Sequence, residues 1–100
     1  MGVNYVVLAV RSEDFIFDAD TFVREAQKRW PGCEIVRPSP GTGISTTSAY
    51  IPSNSLSPFS VRHFPNNRMV STDGTPDQAA EVAAWVRQAN PDPDLVLWFV

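Results

Sequence analysis

The sequence predicts an α+β sandwich: one domain over residues 1–100, with two helices on a mostly antiparallel sheet. Three observations lead there. The chain begins and ends on segments that are apolar on both faces, Val3 to Val10 and Leu95 to Val100. Two segments, Asp18 to Trp30 and Thr75 to Ala89, carry apolar residues at helical spacing. Between them lie short β-prone runs bounded by Pro, Gly, Asn and Ser. The expected order is β-α-β-β-β-β-α-β, with the two terminal strands at the centre of the sheet and a parallel pairing of the two as one option.

In the first strand, Tyr5, Val7 and Ala9 face one way and Val6, Leu8 and Val10 the other. Both sets are apolar, which suggests a central strand covered on two sides. In the first helix, Ala19, Phe22, Val23, Ala26 and Trp30 share a face, and Asp18 can accept from the free amides of the first turn. Asp20 with Arg24 and Glu25 with Arg29 stand four apart in the favourable acid-first order. Pro31-Gly32 stops this helix.

Cys33 to Arg37 is a short strand, and Pro38-Ser39-Pro40-Gly41 a loop. Ile44 to Ile51, rich in Ser and Thr, reads as an exposed or edge strand. Phe59 to Phe64 and Arg68 to Thr72 form a hairpin around Pro65-Asn66-Asn67, where Asn tolerates a left-handed turn position. Thr75-Pro76-Asp77-Gln78 opens the second helix with an N-cap, a Pro at the first helical position and a capping box. Ala79, Val82, Ala83, Val86 and Ala89 line its face before Asn90-Pro91-Asp92-Pro93. With both helices on one side, Val6, Leu8 and the last strand need other cover. A chain ending on six apolar residues suggests either one cut from a longer protein or a last strand that sits at an interface.

Composition narrows the function classes. With 43% hydrophobic residues the chain is not a disordered tail, and one cysteine cannot form a disulfide framework. The net charge is -3 and the eight basic residues are scattered from Arg11 to Arg87, which argues against nucleic acid. The longest apolar run, Leu95 to Val100, is far short of the roughly 18 residues of a membrane span. The first residues lack a basic n-region, and Val6 breaks the myristoylation pattern that Gly2 begins, so a cytoplasmic protein is expected. Seven Arg to one Lys, with many Pro, suggest a bacterial, GC-rich coding sequence.

Candidate chemistry is sparse. Cys33 and His63 are the only cysteine and histidine; paired, they would make a thiolate nucleophile, but Cys33 opens a buried-looking strand and reads better as core. Arg62, His63 and Arg68 flank one turn and would form a small cationic site for a carboxylate or phosphate, against the plainer reading of solvated hairpin charges. Glu13, Asp14, Asp18 and Asp20 form an acidic cluster whose spacing misses the calcium-loop template, so it reads as helix-start charge or a partner-facing patch. Gly41-Thr42-Gly43 leads into a strand, which rules out a dinucleotide loop. No HExxH, GxSxG or CxxC occurs, and no metal or cofactor is expected. Trp30 lies on the first helix's core face and Trp98 in the last strand, read as buried. Trp85 is at the edge of the second helix's stripe, either a core flank or an exposed interface anchor.

The expected function is a non-catalytic protein-binding domain, most specifically an immunity-protein or antitoxin-like inhibitor that meets a basic toxin domain through Glu13, Asp14, Asp18, Asp20 and Trp85. The alternative is a structural or oligomerisation domain, a homo-oligomer joined through its C-terminal strand. A small enzyme using Cys33 and His63 stands behind both. No membrane partner is expected.

Overall fold

The computed structural model describes residues 4–39, 41, 46–52 and 58–99. The expected strand starts at Val3 and Ile44, the strand end at Val100 and the Thr42-Gly43 pair lie outside them. Eight elements follow the expected order: β1 Tyr5–Ala9, α1 Ala19–Arg29, β2 Glu34–Val36, β3 Thr47–Ile51, β4 Phe59–His63, β5 Met69–Thr72, α2 Pro76–Ala89 and β6 Leu97–Phe99.

The strands form one antiparallel sheet in the order β2-β3-β4-β5-β1-β6. The terminal strands are neighbours, but the expected central placement holds only for β1, which lies between β5 and β6. β6 is an edge strand and runs antiparallel to β1. The Ser/Thr-rich β3 is interior, because β2 takes the other edge.

Local chemistry sets the element ends. The Thr21 amide donates to Asp18 Oδ1 at 2.8 Å, capping α1, and Gly32 leaves that helix at φ +86°. At α2 the capping box closes: the Gln78 amide donates to Thr75 Oγ1 at 3.2 Å and the Thr75 amide to Gln78 Oε1 at 2.8 Å. Gly74 makes room for it, since a Cβ there would stand 2.7 Å from Gln78 Oε1. Asn67 takes the left-handed turn position at φ 60°.

Register divides the sheet into two faces. Val7, Ala9, Ala49, Ile51, Phe59, Val61, His63, Val70 and Thr72 are buried on one. Phe22, Val23 and Ala26 of α1 and Val82, Trp85 and Val86 of α2 complete the same core, so both helices cover this face. An aromatic column joins the layers: Trp30 and Trp85 are 4.9 Å apart between ring centres, Trp85 lies 5.9 Å from Phe22, and Trp30 meets Phe59 edge-on at 5.9 Å. Among the described residues no helix lies on the opposite face.

Candidate functional site

The uncovered face is built by alternation. A residue whose neighbours on the strand point into the core must point away from it. On β1 these are Val6 and Leu8; Leu8 stands opposite Met69 of β5 and Trp98 of β6, and Val6 opposite Ser71. The Val10 amide donates to the Val96 carbonyl at 3.1 Å, which extends the pairing beyond both strands. Val10, Val96 and Trp98 are 40%, 43% and 60% exposed. These residues make an apolar strip on one half of the face, over β5, β1 and β6.

The other half is polar. Arg62 of β4 stands between Ser71 of β5 and Ser48 of β3, and Tyr50 lies opposite Ser60 and Glu34. Arg62 is exposed, and its side chain makes no hydrogen bond or ion pair with the described residues. Glu34, at the β2 edge, and Asp73, which follows β5 opposite Ser60 and accepts the Ser60 amide at 2.8 Å, are the other charged side chains near this face among the described residues. The Arg62 row ends at Val36, so both carboxylates lie in the neighbouring Ser60–Tyr50 row, and neither forms an ion pair with Arg62.

The remaining candidates of the cationic turn are internal. His63 is 2% exposed, a correction to its reading as a surface contact. Its Nε2 lies 2.8 Å from the Phe17 carbonyl, and its ring stacks on Phe17 at 6.0 Å. Its position on β4, one residue from Arg62, turns it into the core. Arg68 folds back to donate to the carbonyls of Ala9, Arg11 and Asp14, at 2.9, 3.0 and 3.2 Å. It holds the loop after β1 and offers no free fork to a ligand.

Trp85 is 5% exposed in the aromatic column, so it is no surface anchor. Trp98, expected inside, is on the open edge instead. Cys33 and His63 are not brought together. Cys33 lies at the Ile51–Phe59 end of the meander, and His63 is four residues further along β4, about 13 Å at strand rise. Burial pushes the Cys33 thiol above its ordinary value of 9.0, which disfavours the thiolate a nucleophile needs.

The acidic cluster is dispersed into local tasks. Asp18 caps α1, and the hydrogen bonds it accepts at Thr21 hold its carboxyl below the usual 3.8. Asp20 pairs with Arg37 at 3.2 Å across the α1–β2 connection rather than with Arg24. Asp14 faces Arg11 at 3.7 Å, and Glu13 is exposed beside Ser12. Glu25 meets Lys28 at 3.2 Å while Arg29 reaches across to Glu81 of α2, so the expected Glu25–Arg29 pair does not form. Between the helices, Glu25, Lys28, Arg29, Trp85, Gln88 and Ala89 line a shallow groove of about 270 Å³. Its charges are mostly matched within the chain.

Among the described residues no group of three His, Cys, Asp or Glu side chains converges on a metal-sized space, and no helix is long and apolar enough to cross a membrane. No family model, curated protein or solved structure matches the chain.

The need to cover Val6, Leu8 and the last strand was legible in the sequence, whereas their joining with Val10 and Met69 into one strip was not. The signal was the alternation in the first and last strands, both apolar on the second face, in a chain with two helices to cover them.

Proposed function

We propose that the chain is a non-catalytic protein-binding domain whose contact surface is the uncovered sheet face. One observation carries this reading: among the described residues no layer covers the strip of half-buried Val6, Leu8 and Met69 with exposed Val10, Val96 and Trp98, and Trp98 is 60% exposed at its edge. Contiguous apolar surface rimmed by polar groups is the usual mark of a partner site. The narrower form of the proposal is an immunity-protein or antitoxin-like inhibitor. Exposed Glu13, Asp18 and Asp20 would then speed the approach of a basic toxin domain, with the apolar strip supplying the close contact. A cytoplasmic setting suits the free thiol of Cys33. Neither nucleic acid nor membrane enters this reading.

A second reading has its own observation. β6 is a three-residue edge without charged side chains, and such an edge can accept another strand. The chain would then serve as an assembly domain.

Native pull-down of the tagged chain from its own cells, with light scattering on the eluate, tests both. A stoichiometric heteromeric partner that is lost on Trp98→Ser supports the binding reading. A homo-oligomer lost on the same change supports the assembly reading. Capture indifferent to Trp98→Ser and Val96→Thr together overturns the placement on this face.

A further inference from the structure

The chain's cations are nearly all spent internally. Arg11 donates to the Asp94 carbonyl and faces Asp14; Arg37 pairs with Asp20, Lys28 with Glu25 and Arg29 with Glu81. Arg68 and Arg87 each donate to three backbone carbonyls. Arg24 has no hydrogen bond, but it acts on the Asp18 carboxylate. Among the described residues Arg62 alone has neither for its side chain; it stands on the uncovered face between Ser48 and the 7% exposed Ser71, with Asp73, bonded to the Ser60 amide, as its diagonal neighbour. Val6 follows in the same row, across Ser71. An unmatched guanidinium thus borders the apolar strip, two strands or about 10 Å from β1.

We propose that the partner segment received by this face is apolar with a carboxylate: its apolar side chains lie over Leu8, Val10, Val96 and Trp98, and an Asp or Glu reaches Arg62 beside Ser48. The inference rests on the protein-binding reading above and adds the partner's chemistry. Charge complementarity carries it. Arg62 is exposed, the neighbouring Ser48 hydroxyl supplies a further donor, and a guanidinium fork matches a carboxylate in two parallel hydrogen bonds. A basic residue at the same place would meet like charge. The acidic residues named for steering a basic domain lie on α1 and the loop before it, so they and Arg62 make separate contacts.

The test uses two synthetic peptides, acetyl-Leu-Trp-Leu-Glu-Leu-amide and its Glu→Lys counterpart, titrated into the isotope-labelled full chain and followed by amide NMR shifts. The expected result is shifts on β4, β5, β1 and β6, with the Glu peptide bound roughly five-fold tighter, the size of one partly exposed ion pair. Arg62→Gln should erase that preference while leaving the shared apolar binding. Trp98→Ser should weaken both peptides. Equal binding of the two peptides on this face overturns the carboxylate assignment and leaves the protein-binding reading standing. Shifts confined to the α1–α2 groove, or none at millimolar peptide, overturn the assignment of this face. Concentration-dependent self-association that shifts the same amides without peptide overturns it in favour of a second copy.

Discussion

Replacing Trp85 by Ala should cost more stability than any change on the open face, although its sequence position suggested an equal chance of an exposed anchor. The indole is 5% exposed and lies 4.9 Å from Trp30, 5.8 Å from Phe17 and 5.9 Å from Phe22. Truncation removes its transfer free energy and leaves a cavity that two helices and a loop line together. Changes of this kind cost about 3–5 kcal/mol. A domain of this size holds about 5–15 kcal/mol in total, and each kcal/mol shifts Tm by about 4–8 °C. The melting point should therefore fall by at least about 12 °C. Trp98→Ala, at 60% exposure, should stay within about 0.5 kcal/mol of the parent. Urea titration followed by far-ultraviolet circular dichroism reads both, with Trp85→Phe as a milder control at about 1 kcal/mol. If Trp85→Ala unfolded within 0.5 kcal/mol of the parent (a figure roughly at the level of surface changes), the aromatic column would not be what joins the helices to the sheet.

Three further outcomes follow from the side-chain chemistry. Arg68→Met strips donors from three carbonyls of the loop after β1 and should cost about 1–2 kcal/mol, with faster hydrogen exchange at Ile16; unchanged exchange there would contradict the clamp. Asp18 has a lowered folded value, so the stability it adds is complete above 3.8 and is lost as pH falls through that lower value. Asp18→Ala should lower Tm at neutral pH and converge with the parent in acid, whereas a constant gap would refute capping by the carboxylate. Cys33 has a raised value, so its contribution is complete below 9.0 and is lost as pH rises through the higher folded value; iodoacetamide alkylation of the native chain should still be accelerating above pH 9, and a plateau near 8 would contradict the burial.

What could be read from the sequence was what neighbours in the chain decide. The Asp18 cap, the Thr75–Gln78 capping box and the left-handed Asn67 each depend on a few consecutive residues. Strand order was not legible in the same way, because an apolar run such as Leu95 to Val100 looks the same at a covered centre and at a bare edge. Trp85 was misjudged because the stripe was drawn for a helix on a sheet. α2 also packs sideways on the Trp30 end of α1, which widens its buried arc by one residue. Ion pairs were misassigned for a related reason. Spacing along α1 pairs Glu25 with Arg29, but α2 brings Glu81 to Arg29 and β2 leads Arg37 to Asp20. Which arginine is left without a partner is a property of the whole fold.

The same accounting explains how so short a strand as β6 holds its place. Three residues paired along one side supply few ladder bonds, yet the segment before it is tied from outside the sheet. Arg87 of α2 donates to the carbonyls of Asn90, Asp92 and Leu95, the last at 2.6 Å, and Arg11 donates to Asp94 at 2.8 Å. The helix end and the β1 loop thus hold the approach to β6, and with it the position of Val96 and Trp98 on the open strip. Arg87→Met should therefore free β6 without loosening α1. The Val10 amide, bonded to the Val96 carbonyl, should exchange about ten-fold faster, matching the loss of a charge-assisted bond of about 1.5 kcal/mol, while the Phe22 amide keeps its protection. Equal acceleration at both amides would mean that Arg87 acts on global stability. No acceleration at either would mean that pairing with β1 alone fixes the edge.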